Sequence, residues 1–284
     1  MQSLHISSSA LRSIQYALDT TGNNLANLDT VGYKRRHASF SELLFDEMNE
    51  QPYNDRENRT TPQGLRIGSG VRLGETRLDL SQGNMKVTEV PTDLMIEGDG
   101  FFLVRRLDSP NEYAFTRNGA FQLMRNTSGT FSFVNASGDK LVGQNGFEVE
   151  LDIDPSDTIT ITGDGRILVN GVEDDARIPV WHIPNPGQYQ QIGDNEYLLT
   201  LPAGVNDPSQ VLGFLNYENP NYPPAQNNLR VGSKIRQGAL EMSNVNLQQE
   251  MVNLVAIQRA YQLNARAIAI SDQMMGIANS LRSR

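Results

Sequence analysis

The chain has 284 residues, more than a usual single domain, so two domains are expected, each long enough to bury a core. It contains no cysteine, which excludes a disulfide framework, cysteine-ligated zinc and thiol chemistry, while 38% hydrophobic and 20% charged residues with a mean hydropathy of −0.44 describe a globular protein. Residues 1–36 carry a net +2 and residues 230–284 a net +4, so a total of −9 leaves −15 for the middle, and an acidic body with mildly basic ends argues against nucleic acid as the main partner.

No apolar run is long enough to cross a bilayer. The opening stretch MQSLHISSSALRS has neither the basic start nor the continuous apolar block of a secretory signal. Its polar residues recur between leucines, as in a helix kept in the mature protein. Leu4, Leu11, Leu18 and Leu25 repeat every seven residues, with Ile14 and Leu28 beside them. This predicts a helix of about 24 residues, roughly 36 Å long, with one narrow apolar face. Gly22 and the many Ser, Thr, Asn and Gln residues make it marginal alone, so it needs a packing partner. In NNLANLDTVGYKRR (23–36), Asn and Asp side chains and Gly32 account for termination, and Lys34-Arg35-Arg36 is expected to be a solvated helix end.

Residues 45–80 read as polar and irregular, then glycine-rich (GLRIGSGVRLG). From about Ile96 to Leu215, short alternating runs (FFLVRR, YAFTRNGAFQL, TFSFV, DTITITGDGRILV, IPVWHI, EYLLTL) are punctuated by Asp-Gly, Asn-Gly and Ser-Gly turns. That pattern predicts an antiparallel sheet or barrel. NPNYPPAQNN (219–228) reads as an extended linker.

A final helix is expected from Leu240 to Leu281, a span interrupted only by Gly276. Leu240, Leu247, Leu254, Tyr261, Ile268 and Met275 form one heptad row. Val252, Ala256, Leu263, Ala267, Ile270, Met274, Ile277 and Leu281 form a second row on another face. Two stripes ask for two or more neighbours, more than one short N-terminal helix covers, so packing between copies of the chain is expected. The fold class is thus α+β: discontinuous, coiled-coil-like terminal helices flanking a mainly antiparallel β domain. Residues 1–36 with 229–284 form the helical part, 37–95 an extended connecting segment, and 96–228 the β-rich body and return linker.

The sequence offers no arrangement for catalysis. His5, His37 and His182 are not spaced to bracket a metal, and no G-x-S-x-G elbow occurs. Gly98-Asp99-Gly100 and Gly163-Asp164-Gly165 lack the third glycine of a dinucleotide fingerprint and are expected to be turns. Asp152, Asp154 and Asp157 suggest calcium, but no glutamate stands at the twelfth loop position, where Gly163 sits. The expectation is therefore a non-enzyme without cofactor, metal or small-molecule substrate. A secreted β-domain enzyme or carbohydrate-binding module is the competing class, poorly supplied with stacking platforms because Trp181 is the one tryptophan. A phage-tail-like adaptor shares the assembly logic alone.

Residues 23–36 resemble the N-terminal signature of the bacterial flagellar rod and hook proteins at Asn24, Ala26, Asn27, Thr30, Gly32, Tyr33 and Lys34. Residues 238–282 resemble the family's C-terminal motif, including Gly238, Leu240, Glu241, Ser243, Asn244, Val245, Glu250 and Tyr261. DLMIEGDGFFLV (93–104) and FTRNGAFQL (115–123) are similar to the first strands of its β domain. Within the family, Pro62, Gly64, Leu65, Ile67, Gly68, Gly70, Val71, Arg72 and Ser81–Asn84 resemble the distal-rod type, with a proximal rod or hook-type axial subunit as the alternative. The resemblance implies export through the flagellar type III apparatus without a cleaved signal. It further implies a place in the basal body, helical self-assembly through the terminal helices, and contacts with neighbouring rod and hook proteins.

Overall fold

The computed structural model describes residues 2–42, 45–48, 65–68, 71–107, 112–154, 157–183, 189–193, 195–199, 213–214 and 232–282. The linker expected at 219–228 lies outside them. In chain order the elements are α1 (Gln2–Ala26), β1 (Arg36–Glu42), β2 (Phe45–Met48), β3 (Leu65–Gly68), β4 (Val71–Leu78), β5 (Met85–Val87), β6 (Leu94–Glu97), β7 (Phe102–Arg105) and β8 (Tyr113–Thr116). There follow β9 (Gln122–Arg125), β10 (Phe131–Val134), β11 (Lys140–Leu141), β12 (Glu150–Leu151), β13 (Ile159–Ile161), β14 (Arg166–Val169), β15 (Val172–Arg177) and β16 (Trp181–His182). The last are β17 (Gln191–Gly193), β18 (Glu196–Leu199), β19 (Gly213–Phe214), β20 (Lys234–Gln237), β21 (Ala239–Glu241) and α2 (Leu247–Arg282). No helix among the described residues is long and apolar enough to cross a membrane. The α+β class, with terminal helices flanking antiparallel strands, is what the structure shows.

The chain forms two compact units: Met1–Ala26, Arg36–Arg77 and Asn246–Arg284 in one, Asn27–Arg35 and Leu78–Val245 in the other. Residues 27–35 and 232–245, grouped with the helices on sequence grounds, group here with the strands.

In the second unit an eight-stranded sheet runs β12-β10-β11-β7-β8-β18-β17, with β9 also on β10. Successive residues of a strand point to opposite faces, and both faces of β7 and β8 are covered. Phe102, Val104 and Ala114 enter one cluster with Phe121, Phe133, Leu141 and Ile167. Phe101, Leu103, Tyr113 and Phe115 enter another with Trp181, Tyr197 and Leu199. Phe115 stacks on Tyr197 with ring centres 5.2 Å apart and meets Phe101 edge-on at 5.1 Å. This two-sided burial explains why FFLV and YAFT read as continuous apolar runs and not as half-buried strands. Trp181, in β16, is fully buried and so is not a surface stacking platform. β13-β14-β15 form a separate antiparallel sheet. Gly163-Asp164-Gly165 turns between its first two strands, and Gly98-Asp99-Gly100 is a bend before β7, as expected.

Two expectations change. Described parts of residues 45–80 are not irregular: β1 pairs with β4, and β2 pairs antiparallel with β3 from Phe45↔Gly68 to Met48↔Leu65. The C-terminal helix also starts seven residues later than predicted. Leu240 lies buried in β21, paired with Lys86 of β5. The cause is local. Gly238 adopts φ +75, a turn conformation that lets β20 pair with β6 and β21 with β5. Asn246 then caps α2, its Oδ1 accepting from Gln249 N at 3.2 Å.

Candidate assembly interface

The first unit places α1 against α2 and against the β1-β4 pair. Asn24 defines the junction: its Nδ2 donates to Arg36 O at 2.9 Å and lies 3.5 Å from Glu250 Oε2, while Arg36 N donates back to Asn24 Oδ1 at 3.0 Å. The C-terminal end of α1 therefore meets the first turn of α2, and the helices run antiparallel from there. The most buried positions on α1 are Ser13, Ala17, Thr21 and Asn24, small residues at helical spacing that allow close approach. Ser13 Oγ also reaches Val71 O of β4 at 3.3 Å. The predicted face of Leu11, Ile14, Leu18 and Leu25 flanks that stripe and is half-buried. The side chain of Leu4 lies outside the described residues. Ala26 is the last helical residue and is exposed.

On α2 the half-buried positions are Asn253, Leu254, Ile257, Ala260, Asn264, Ile268 and Ser271, after the buried Glu250. Their mean spacing is close to 3.5 residues, one helical face, as an antiparallel seam requires. Of the predicted first row, Leu254 and Ile268 belong to this face, while Leu247 and Tyr261 are exposed. The second row is left exposed among the described residues. Leu263 is 64% exposed, Ile270 61%, Met274 66%, Ile277 59% and Leu281 72%. With Val252 and Val255 they form an exposed aliphatic stripe along the helix. At about 1.5 Å per residue, α1 spans about 37 Å and α2 about 54 Å, so the last turns of α2 extend beyond the seam.

In the second unit, the remaining motif residues meet around one buried carboxylate. Glu241 Oε1 accepts from Lys34 Nζ at 2.7 Å and from Gly83 N at 2.8 Å, and its Oε2 accepts from Arg117 Nη1 at 2.9 Å. All three charged side chains are buried. Lys34 also donates to Ser81 O at 2.8 Å, and Arg117 Nη2 to Gly98 O at 2.8 Å with its guanidinium over the Phe101 ring. Lys34 is thus no solvated helix end. Its side chain enters the body because a carboxylate 207 residues later waits there. Burial and the Arg117 charge hold the Lys34 ammonium below the usual lysine value, against the pull of Glu241.

Backbone bonds lock the same junction. Gly32 N donates to Glu241 O at 2.8 Å, and Gly32 combines φ +69 with contact against Asn118, so a side chain has neither conformation nor space there. Asn244 Oδ1 accepts from Arg35 N at 2.7 Å while its Nδ2 donates to Asp79 O at 2.8 Å. Thr30 Oγ1 donates to Asn27 Oδ1 at 3.1 Å, Ser243 Oγ accepts from Val245 N, and Tyr33 and Val245 are buried. Burial raises the Asp79 carboxyl, but the Ser81 hydroxyl and N–H, with Arg35 and Lys34 nearby, leave it below the usual carboxylate range.

Sequence reasoning matched Glu241 only within a motif and gave Arg117 no role. Burial of two isolated charges far apart in the chain leaves no periodic signal. Among the described residues no group of three or more His, Asp or Glu side chains converges as a metal site. Asp157 instead accepts from Asp154 N at 2.8 Å and from Asn170 Nδ2, between β14 and β15, at 2.8 Å.

Three family models match in chain order. Residues 4–34 match the flagella basal body rod protein model, 95–169 the flagellar hook protein FlgE/F/G D1 domain, and 236–281 the flagellar basal body rod FlgEFG protein C-terminal region. The flagellar basal-body rod protein FlgG of Borreliella burgdorferi is 32% identical over 287 residues, covering 99% of each chain. That of Buchnera aphidicola from Acyrthosiphon pisum is 33% identical over 281 residues, covering 96% of each. The flagellar hook-basal body complex protein FlhP of Bacillus subtilis is 30% identical over 289 residues, covering 99% of this chain and all of its own. The matched segments at the two ends are those that build the helix pair and the charged junction, and the chain belongs to the flagellar basal-body rod protein family.

Proposed function

We propose that the chain is a structural subunit of the flagellar basal-body rod, of the distal type, stacking helically on copies of itself through its terminal helices. The observation that carries this reading is the exposed aliphatic stripe of α2 from Val252 to Leu281. Contiguous apolar surface of this kind marks an interaction site. Each leucine-sized side chain buried there contributes about 1.5–3 kcal/mol. Several such contacts offset the loss of rotational and translational freedom on association. The role calls on no catalytic group.

The distal assignment is supported by the FlgG relatives, aligned over nearly the whole chain. The partners follow from it: copies of this chain, neighbouring rod and hook proteins at either end of the stack, and the type III export apparatus that delivers the subunit. Deleting the protein and imaging flagellar intermediates tests the placement. The expected result is arrest before hook formation with proximal rod proteins already in place. Arrest before those proteins assemble points to a proximal subunit, and a completed rod without a hook points to a hook-type subunit.

A further inference from the structure

We propose that residues 233–245 are a closing segment for the strand-rich unit, and that Glu241 is its latch: the unit stays open at β5 and β6 until this segment docks and its carboxylate pairs the two waiting cations. The inference does not depend on the rod assignment.

The topology carries it first. Among the described residues β6 has β20 as its ladder partner and β5 has β21, each as a two-stranded pair. β20 runs antiparallel from Lys234↔Glu97 to Gln237↔Leu94, and β21 from Ala239↔Val87 to Glu241↔Met85. Without residues 233–245, two strands of the unit have no ladder. The segment also adds hydrogen bonds to several separate loops and strands of the unit. Ile235 N donates to Gly163 O at 2.9 Å, Gln237 Nε2 donates to Pro91 O at 2.7 Å and to Ile159 O at 3.0 Å, and Ser233 Oγ donates to Asp99 O at 2.6 Å. Met242 N donates to Asn84 O at 2.8 Å. Gly83 fits only as glycine, because a Cβ there would stand 1.9 Å from Met242 O.

The charges carry it second. Lys34 and Arg117 precede Glu241 by 207 and 124 residues. A chain made or threaded N-terminus first therefore presents both cations long before the carboxylate that they share. Burying either without it is strongly unfavourable, since an uncompensated interior charge keeps its full desolvation penalty. Closure of so long a loop also costs chain entropy before any contact rewards it. The ladder of β7, β8 and β18 forms within Phe102–Leu199 and draws no strand from residues 233–245.

The test is hydrogen exchange on the full chain at neutral pH, wild type against E241Q. The expected result is at least about 100-fold faster exchange in β5, β6, β20 and β21, with β7 and β8 amides still protected. Uniform loss of protection in all strands, or no change in β5 and β6, overturns the proposal. K34M/E241Q provides the second arm, removing one stranded cation. Protection of β5 and β6 should recover about tenfold over E241Q alone. If E241Q does not fold at all, K34M/E241Q should, and a double variant no better than E241Q overturns the latch.

Discussion

The two units place their surfaces in opposite ways. The helix pair leaves Leu263, Ile270, Met274 and Leu281 in water, while the strand-rich unit hides a lysine, an arginine and a glutamate from it. A completed fold ordinarily does the reverse in both places. In the charged junction each cation finds the carboxylate and a backbone carbonyl within the same unit. The helix stripe stays exposed, because α1 covers one side of α2 and the described residues contain no third helix. The difference separates charges that a single copy pairs internally from apolar surface that it leaves in water.

Perturbations in the two regions should therefore separate stability from assembly. The largest loss of stability is expected for Phe102→Ala, in the fully buried cluster beside Phe121 and Phe133. It should cost about 3–5 kcal/mol in denaturant or thermal unfolding of the isolated chain. An unchanged unfolding midpoint would contradict the core assignment. Leu263→Asp with Ile270→Asp should shift isolated-chain stability by no more than about 0.5 kcal/mol per site while abolishing motility and rod assembly. Normal swimming by such a strain would remove the assembly role of the stripe.

The pH response should come from the strand-rich unit. Lys34 is held below its ordinary 10.5, so its buried charge costs stability at neutral pH, and this cost disappears as pH rises through the folded value toward 10.5. K34M should lack that alkaline gain relative to wild type. Asp79 is held below its ordinary 3.8, so its contribution is present above 3.8 and is lost as pH falls through the folded value. D79N should flatten that acid limb. The smallest effect is expected at the exposed Arg166–Glu173 pair, 3.1 Å apart, where Arg166→Ala should cost under about 1 kcal/mol and less in high salt.

The comparison also shows where a sequence is readable. β7 and β8 were legible because apolar runs bounded by turn residues specify strands, and α1 was legible from its leucine repeat over Leu4–Leu25. The start of α2 was misplaced because Leu240 fits the heptad by spacing alone. Nothing in periodicity reveals that Gly238 turns the chain and that Asn246 supplies the cap. On α1, leucine spacing marks an apolar face, while the deepest burial falls on Ser13, Ala17 and Thr21, whose small size is a packing property. Lys34 looked like one of three surface cations because its partner is remote in the chain.

By itself the sequence determined the alternation of helix, strands and helix, and the excess of apolar faces over internal partners, since both follow from local propensity and periodicity. Only the tertiary structure decided which residues join the two ends of the chain. Burial of a charge is a question of which groups meet in space, so Lys34, Arg117 and Glu241 became one site only when β20 and β21 brought the last of them home.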